Sequence, residues 1–332
     1  MEFKFIVPSQ VIFGLGCIPC LPAKVKELKA KRPLVATSSG MLQRYFAVTI
    51  LSYLESSNIG YETYNRISPE PSTADVENCY QFAAGANCDI IIGLGGGSVM
   101  DVAKKVAMDL GIPKIMVPTT AGTGSEVTHE SVLKVGGTKK ALVDIRLTPD
   151  IAIIDPWLVM SLPQRLAASS GIDALAHAAE SLESKKSNPL VKALAEKAYT
   201  LIVDNLTGSV FGDSNARCNM SLGALMAGMA FGNSGTTLAH ALSYPLSNRG
   251  IPHGEAVAVV LPYALEFNGY SPSITNEIKK IIEKVNLDIK VEGDIYEMAK
   301  MVMQDKRHLS CNPREVAFGD VVDIYKRVLG QN

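Results

Sequence analysis

The stretch Asp89-Ile-Ile-Ile-Gly-Leu-Gly-Gly-Gly-Ser98 decides the fold of this chain. It begins as an unbroken apolar run, which is typical of a strand buried on both faces of a parallel sheet. The run ends in glycines, and residues 98–110 then follow a helical pattern. A buried strand that passes through a glycine turn into a helix is the repeating unit of an α/β sheet.

Strands and helices alternate on both sides of this stretch. Short apolar strands are predicted at 33–37, 61–64, 115–117 and 150–155, and further helices at 22–30, 42–57 and 72–86. Residues 3–14 alternate apolar and polar side chains around Pro8, which predicts an N-terminal hairpin or an edge strand. The alternation of strands with helices indicates a parallel, doubly wound sheet.

The strand pattern ends near residue 157. Helical patterns follow at 171–184, 189–205, 216–231, 235–244, 255–267, 274–284, 292–304 and 315–329. We therefore predict an α/β, Rossmann-like N-terminal domain over residues 1–157 and an all-helical C-terminal domain over residues 158–332. The cleft between two such domains is the expected ligand site.

The composition narrows the class of protein and its partners. With 332 residues, 47% apolar and 20% charged, the chain fits a soluble globular protein. The net charge of −1 gives no reason to expect a nucleic-acid partner, and no apolar run approaches the ~20 residues that span a bilayer. The start of the chain does not resemble a signal peptide. The six cysteines include one lone Cys17-x-x-Cys20, for which reduced thiols in the cytoplasm are a simpler explanation than a zinc or redox pair.

Two segments of the helical domain contain three of the five histidines. Asp173 and His177 are four residues apart in an Ala/Leu-rich segment and therefore share one face of a predicted helix. His240 lies in a second helical run, and His253 follows an Ile-Pro turn. Asp173 and His177 alone are weak evidence, because such a pair is more often an ordinary helix acid and a core histidine. One carboxylate and three imidazoles together suit Fe²⁺ or Zn²⁺, so the four residues predict a metal site.

Two polar loops follow buried strands of the N-terminal domain. In the first, Gly95, Gly96 and Gly97 leave room for a pyrophosphate at the N-terminus of the next helix, although a tight turn would use the same glycines. Ser98 replaces the third glycine of the dinucleotide fingerprint G-x-G-x-x-G. The second loop, residues 118–128, is rich in Thr, Gly and Ser, which fits either a ligand-binding loop or a polar surface loop.

Taken in order, these motifs resemble the iron-containing (group III) alcohol dehydrogenases over residues 3–267. The resemblance implies a dehydroquinate synthase-like fold. It implies four metal ligands, namely Asp173, His177, His240 and His253. It also implies cofactor contacts from both loops and from one lysine, namely Gly95, Gly96, Gly97, Ser98, Asp101, Thr119, Thr120, Thr123, Ser125 and Lys140 or its neighbour Lys139.

The chain departs from this family in three places. The part after residue 267 is shorter than expected. Tyr244 stands where many members carry a second histidine, four residues after the third ligand. Ser38 stands at the end of the second strand, where NAD-preferring members often have an Asp that binds the ribose and repels a 2′-phosphate. We therefore expect NADP(H), or the use of both NADP(H) and NAD(H).

The resemblance implies a metal-dependent, NAD(P)-linked alcohol dehydrogenase or aldehyde reductase acting on a small substrate. The metal, Fe²⁺ or alternatively Zn²⁺, would act on the substrate oxygen as a Lewis acid, and the nicotinamide would carry the hydride. Tyr244 lies one helical turn after His240 and is predicted to donate a hydrogen bond to that oxygen.

Arg249 lies four residues before His253, and its guanidinium would suit an anionic group on the substrate. The Ser-Tyr-Pro and Gly-Ile-Pro-His-Gly sequences also resemble those of family members that reduce phosphonoacetaldehyde. The alternative is that Arg249 is an exposed turn residue.

Two other functions compete with this one. The first is a dehydroquinate-synthase-like or glycerol-phosphate-dehydrogenase-like enzyme of the same fold, against which the Gly-Thr-Gly-Ser-Glu loop and His240 argue. The second is a non-catalytic nucleotide-binding protein with a structural metal, against which only the intact ligand set argues. A cytoplasmic homodimer is the expected assembly.

Overall fold

The computed structural model, which describes residues 2–8 and 10–330, contains a six-stranded parallel sheet. Its strands are β1 (Gln10–Phe13), β2 (Pro33–Ala36), β3 (Glu62–Tyr64), β4 (Ile90–Gly95), β5 (Lys114–Pro118) and β8 (Ile151–Ile154). They lie in the order β1-β8-β5-β4-β2-β3, and every neighbouring pair is parallel. This confirms the predicted α/β sheet. β1 is an edge strand, which was one of the two predicted alternatives, and it pairs with the distant β8 instead of forming a hairpin.

Four helices cover the sheet of this unit. They are α1 (Leu21–Glu27), α2 (Tyr45–Ser56), α3 (Thr73–Gly85) and α4 (Gly97–Leu110). Ile90 and Ile92 of β4 pack in one apolar core with α1 and α2, whereas Ile91 packs in another core with α3 and α4. Because β4 is buried on both faces, its sequence is an unbroken apolar run instead of an alternating one.

A two-stranded antiparallel hairpin was not predicted. It consists of β6 (Glu130–Val135) and β7 (Thr138–Val143), joined by two glycines with positive φ. Gly136 and Gly137 adopt φ of 60° and 82°, which side chains disfavour and two-residue hairpin turns require. The Gly-Gly pair between alternating segments was the signal that could have identified it.

The second unit is helical throughout its described part, as predicted. Its helices are α5 (Gln164–Glu183), α6 (Pro189–Val210), α7 (Ser214–Ser234), α8 (Leu238–Ser247), α9 (His253–Phe267), α10 (Pro272–Lys284), α11 (Ile295–Gln304), α12 (Lys306–Cys311) and α13 (Phe318–Val328). The six-residue α12 was missed, because so short a helix shows no periodic pattern. None of the described helices is both long enough and apolar enough to cross a membrane.

The chain divides into two compact units, Ile6–Ser161 and Leu162–Asn332 with Met1–Phe5. In the second unit, one glycine brings two site-bearing helices together. A Cβ on Gly254 would lie 2.1 Å from the carbonyl oxygen of Ser169, so the start of α9 can approach α5 only because residue 254 has no side chain. This contact sets His253, the first residue of α9, against the helix that carries Asp173.

Candidate active site

The four predicted metal ligands converge in the helical unit. Asp173 and His177 lie on α5, His240 on α8 and His253 at the start of α9. Asp173 Oδ1 lies 3.7 Å from His177 Nε2, 3.5 Å from His240 Nε2 and 3.6 Å from His253 Nε2. The Nε2 atoms of His177 and His240 are 3.2 Å apart. The ligand atoms of Asp173, His240 and His253 all lie within 4.8 Å of one another.

The chemistry of this cluster fits a divalent cation. Asp173 Oδ1 is buried and accepts no hydrogen bond, although three imidazole nitrogens surround it. A buried carboxylate oxygen in such a position is costly unless a cation or a donor satisfies it. Burial raises the pKa of Asp173, but the nearby histidines lower it more, so the net shift is to well below the usual range. One carboxylate oxygen and three imidazole nitrogens form a donor set suited to Fe²⁺ or Zn²⁺.

Glu180, one turn after His177 on α5, fixes the orientation of His240. Its Oε2 hydrogen-bonds His240 Nδ1, and its Oε1 accepts from the backbone N–H of Ala239 at 2.7 Å and from Thr237 Oγ1 at 2.9 Å. Burial lowers the pKa of His240, but Glu180 and Asp173 raise it more strongly, to about 10. With Nδ1–H donated to Glu180, His240 presents Nε2 to the cluster. Glu180 was not among the residues predicted from the sequence, although its spacing from Asp173 and His177 places it on the same helix face.

Tyr244 lies beside the cluster, as its helical spacing from His240 predicts. Its ring centroid is 5.9 Å from that of His253. Arg249 has partners elsewhere: its Nη1 donates to the Pro245 carbonyl at 3.0 Å, and its Nη2 lies 3.6 Å from Glu297 Oε2 on α11. The Arg249 guanidinium thus has partners within the protein, and these contacts do not support its predicted role in binding an anionic group of the substrate.

In the α/β unit, the glycine turn between β4 and α4 forms a cradle without side chains. A Cβ on Gly97 would lie 2.9 Å from Thr123 Cγ2, and one on Gly96 would lie 3.4 Å from Thr120 Oγ1. The Thr120 hydroxyl is buried and has no hydrogen-bond partner. An unsatisfied hydroxyl beside the N-terminus of a fourteen-residue helix fits the oxygens of a bound pyrophosphate.

Several other predicted cofactor residues hold the two loops in place. Ser125 Oγ donates to Asp101 Oδ1 at 2.6 Å, and Asp101 Oδ2 accepts from the Val132 N–H at 3.0 Å. The buried Lys104 donates to the Ser125 carbonyl at 2.9 Å, and burial lowers its pKa. The Thr119 N–H donates to the Gly95 carbonyl at 3.0 Å, so the loop after β5 is tied to the end of β4.

The remaining three predicted cofactor residues are Ser98, Ser38 and Lys140. Ser98 Oγ accepts a hydrogen bond from the Glu70 N–H at 3.3 Å. Ser38 is half-buried just after β2, whose neighbour in the sheet is β4, so it lies at the same edge as the glycine turn. Lys140 is exposed on β7, whereas its neighbour Lys139 forms an ion pair with Glu70 at 2.7 Å.

The chain is similar to proteins of known activity along its length. Residues 8–156 match the iron-containing alcohol dehydrogenase family, and residues 167–291 match the C-terminal domain of the same family. Long-chain-alcohol dehydrogenase 1 of Geobacillus thermodenitrificans (strain NG80-2) is 32% identical over 97% of this chain and 96% of its own length.

Solved structures agree with these matches. A crystal structure of 1,3-propanediol oxidoreductase has a TM-score of 0.94 at 28% identity and covers 99% of this chain and 100% of its own. Sulfoacetaldehyde reductase from Bifidobacterium kashiwanohense, solved in complex with NAD+, has a TM-score of 0.92 at 26% identity and covers 100% of both chains. These structures confirm the predicted fold class.

Proposed function

This chain belongs to the iron-containing alcohol dehydrogenase family, and on that premise we propose which of its residues carry the reaction. The protein is an iron-dependent, NAD(P)-linked oxidoreductase that interconverts small alcohols and aldehydes. The family match favours this function over a dehydroquinate-synthase-like or glycerol-phosphate-dehydrogenase-like enzyme of the same fold.

Asp173, His177, His240 and His253 are the proposed ligands of the iron. The observation that carries this assignment is the buried Asp173 Oδ1, which accepts no hydrogen bond and has three imidazole Nε2 atoms within 3.7 Å. The ion supplies Lewis acidity to the substrate oxygen, and the nicotinamide supplies or accepts the hydride. Zn²⁺ is the alternative metal for the same donor set.

The other groups in the proposal bind and orient. Tyr244 is the proposed substrate-binding residue, whose hydroxyl donates to the reacting oxygen. The N-terminus of α4 and the Thr120 hydroxyl are the proposed pyrophosphate site. Ser38 is the proposed determinant of cofactor choice, because a serine at this sheet edge does not repel a 2′-phosphate. We assign NADP(H), or the use of both cofactors.

A small aldehyde is the proposed substrate, and phosphonoacetaldehyde is a specific candidate. The likeness to a sulfoacetaldehyde reductase supports an aldehyde that carries an anionic group. The contacts of Arg249 with Pro245 and Glu297 count against that residue as the group that binds the anion. The test compares phosphonoacetaldehyde with a neutral aldehyde of similar size. If the protein prefers phosphonoacetaldehyde and Arg249→Ala retains that preference, a group other than Arg249 binds the anion.

We propose further that the protein is a cytoplasmic homodimer. All six cysteines lie in the described part of the chain and none forms a disulfide, which suits a reducing compartment. Sedimentation at micromolar concentration tests the dimer directly.

The function is tested by anaerobic loading of the protein with Fe²⁺, followed by assays of small aldehydes with NADH and NADPH. We expect one iron per chain, substrate-dependent oxidation of the cofactor, and loss of both iron and turnover in His253→Ala, because that variant lacks one of the four donors. Full metal occupancy in His253→Ala would overturn the ligand assignment. Stoichiometric metal with no turnover on any aldehyde or alcohol would favour a nucleotide-binding protein with a structural metal.

A further inference from the structure

His308 is a buried histidine to which neither the metal site nor the cofactor loops assign a role. It lies on α12, in the C-terminal part of the chain, and only 3% of its surface is exposed. The sequence offers no reason to connect it with His240, which is 68 positions earlier. In the structure its ring lies beside the proposed ligands, so its surroundings need an explanation.

Asp305 holds the His308 ring through two separate contacts. Asp305 Oδ1 accepts the backbone N–H of His308 at 3.2 Å, which caps α12. Its second oxygen, Oδ2, lies 2.5 Å from His308 Nδ1. Burial raises the pKa of Asp305, but the hydrogen bonds from His308 lower it more, so the net shift is downward. A helix cap needs only the first contact, and the second one fixes the orientation of the imidazole.

The fixed ring faces two residues of the proposed active site. Its centroid lies 5.2 Å from that of Tyr244, and the two planes meet at 85°. It also lies 6.1 Å from the His240 ring at an interplanar angle of 24°. The Tyr244 ring therefore contacts both the His308 ring, which Asp305 holds, and the ring of the proposed metal ligand His253, whose centroid is 5.9 Å away.

We propose that the Asp305–His308 pair positions Tyr244 for substrate binding, so that His308 is a positioning residue of the reaction; this inference rests on the proposed function. Tyr244 is half-buried, so part of its ring is open to solvent. An edge-to-face contact with a ring that is itself fixed restricts the rotation of Tyr244. A hydroxyl that donates to a reacting oxygen must be held to within a fraction of an ångström, and small misplacements cost rate.

The test combines two kinetic variants of the pair with Tyr244→Phe in iron-loaded full-length protein. His308→Gln removes the ring. Asp305→Asn keeps one oxygen for the cap but places an N–H opposite Nδ1, which releases or reverses the imidazole. Each change should lower kcat/KM for a small aldehyde by about tenfold in the wild-type background and by less than about twofold in Tyr244→Phe. Iron content and NADPH affinity should not change.

Ser310→Ala is the matched control, because Ser310 lies on the same short helix and is exposed, with its hydroxyl bonded to the Arg307 carbonyl. It should leave kcat/KM unchanged. A second readout does not depend on turnover: the flip rate of the Tyr244 ring, measured by NMR on ¹³C-tyrosine protein, should rise in His308→Gln and Asp305→Asn but not in Ser310→Ala.

Two results would overturn the inference. If the losses in kcat/KM from the His308 and Asp305 variants add fully to the loss from Tyr244→Phe, His308 acts independently of the tyrosine. If the flip rate is unchanged, His308 does not restrain the Tyr244 ring. A wild-type protein that loads iron but reduces no aldehyde would instead contradict the proposed function. In that case the flip rate alone decides whether the pair holds Tyr244.

Discussion

At the scale of single residues, the proposed metal site depends on Glu180, a carboxylate outside the proposed ligand set. Glu180 accepts Nδ1–H from His240 and takes the backbone N–H of Ala239 and the hydroxyl of Thr237 on its other oxygen. It thereby fixes both the tautomer of the ring and its direction. His240 can offer Nε2 as a ligand only while Nδ1 carries the proton.

Glu180→Gln should therefore lower the affinity for Fe²⁺ by roughly 10–100-fold. The amide would present an N–H to Nδ1 and move the imidazole proton to Nε2, where it blocks coordination. Metal titration in the presence of a competing chelator measures the effect. Glu266→Gln, at an exposed carboxylate on α9, is the control and should bind iron like the wild type. Equal affinities in the two variants would show that Glu180 does not orient the ligand.

Ser38 provides a second residue-scale prediction. Ser38→Asp should shift the ratio of kcat/KM values toward NADH by roughly 1–3 kcal/mol, because a carboxylate repels a 2′-phosphate and binds the ribose hydroxyls. Ser39→Asp adds the same charge at an exposed neighbour and should change the ratio little. If both variants shift it alike, the cause is general electrostatics and Ser38 is not in the pocket.

At the scale of elements, the proposed metal site depends on how closely α9 approaches α5. Small residues of α5 such as Gly171 let neighbouring helices pack close to it near Asp173. Gly254 lets the start of α9 approach the Ser169 backbone. Backbone atoms cannot move aside as flexible side chains can, so even one methyl group at residue 254 must separate the two helices.

Gly254→Ala should lower the free energy of unfolding by roughly 1–3 kcal/mol and reduce iron occupancy, because the separation moves His253 away from Asp173. Urea denaturation and metal analysis measure the two effects. Gly319→Ala on α13 is the control: a Cβ there meets nothing within 4 Å, and the helix should gain up to about 1 kcal/mol. Unchanged iron occupancy in Gly254→Ala would show that the close approach of residue 254 to Ser169 does not position His253 for metal binding.

At the scale of the whole molecule, the half-buried acid Glu183 shapes the dependence of stability on pH. Burial, together with the nearby Glu180 carboxylate, raises the pKa of Glu183 to about 8. Its Oε1 accepts from Thr237 and Asn268, and its Oε2 is buried without a partner. The folded protein therefore holds a proton that the unfolded chain releases near its ordinary value of 4.5. The stabilisation of the folded state by this proton is complete below pH 4.5 and is lost as the pH rises toward 8.

Glu183→Gln should flatten this decline and stabilise the protein at pH 8, on the order of 1 kcal/mol, because the amide mimics the protonated acid. Thermal unfolding between pH 5 and pH 9 measures it. Glu266→Gln again serves as an exposed control. A decline of the same slope in Glu183→Gln would assign the pH dependence to other groups.

The helical unit and the parallel sheet could be predicted because their causes are local. A strand buried on both faces requires an apolar run such as Ile90–Leu94, and an amphipathic helix repeats its apolar residues every three or four positions. The ligand set could also be proposed from the sequence, since Asp173 and His177 share a helix face. The hairpin at Gly136–Gly137 was missed although its turn signal was present.

Only the tertiary structure decided which distant residues meet. Glu180 reaches His240, Gly254 reaches Ser169, Arg249 reaches Glu297, and His308 reaches Tyr244, and each pair belongs to different helices or to the turns beside them. Sequence spacing reports contacts within one element, whose geometry is periodic. It does not report contacts between elements, because these depend on packing angles and on the absence of side chains at close approaches.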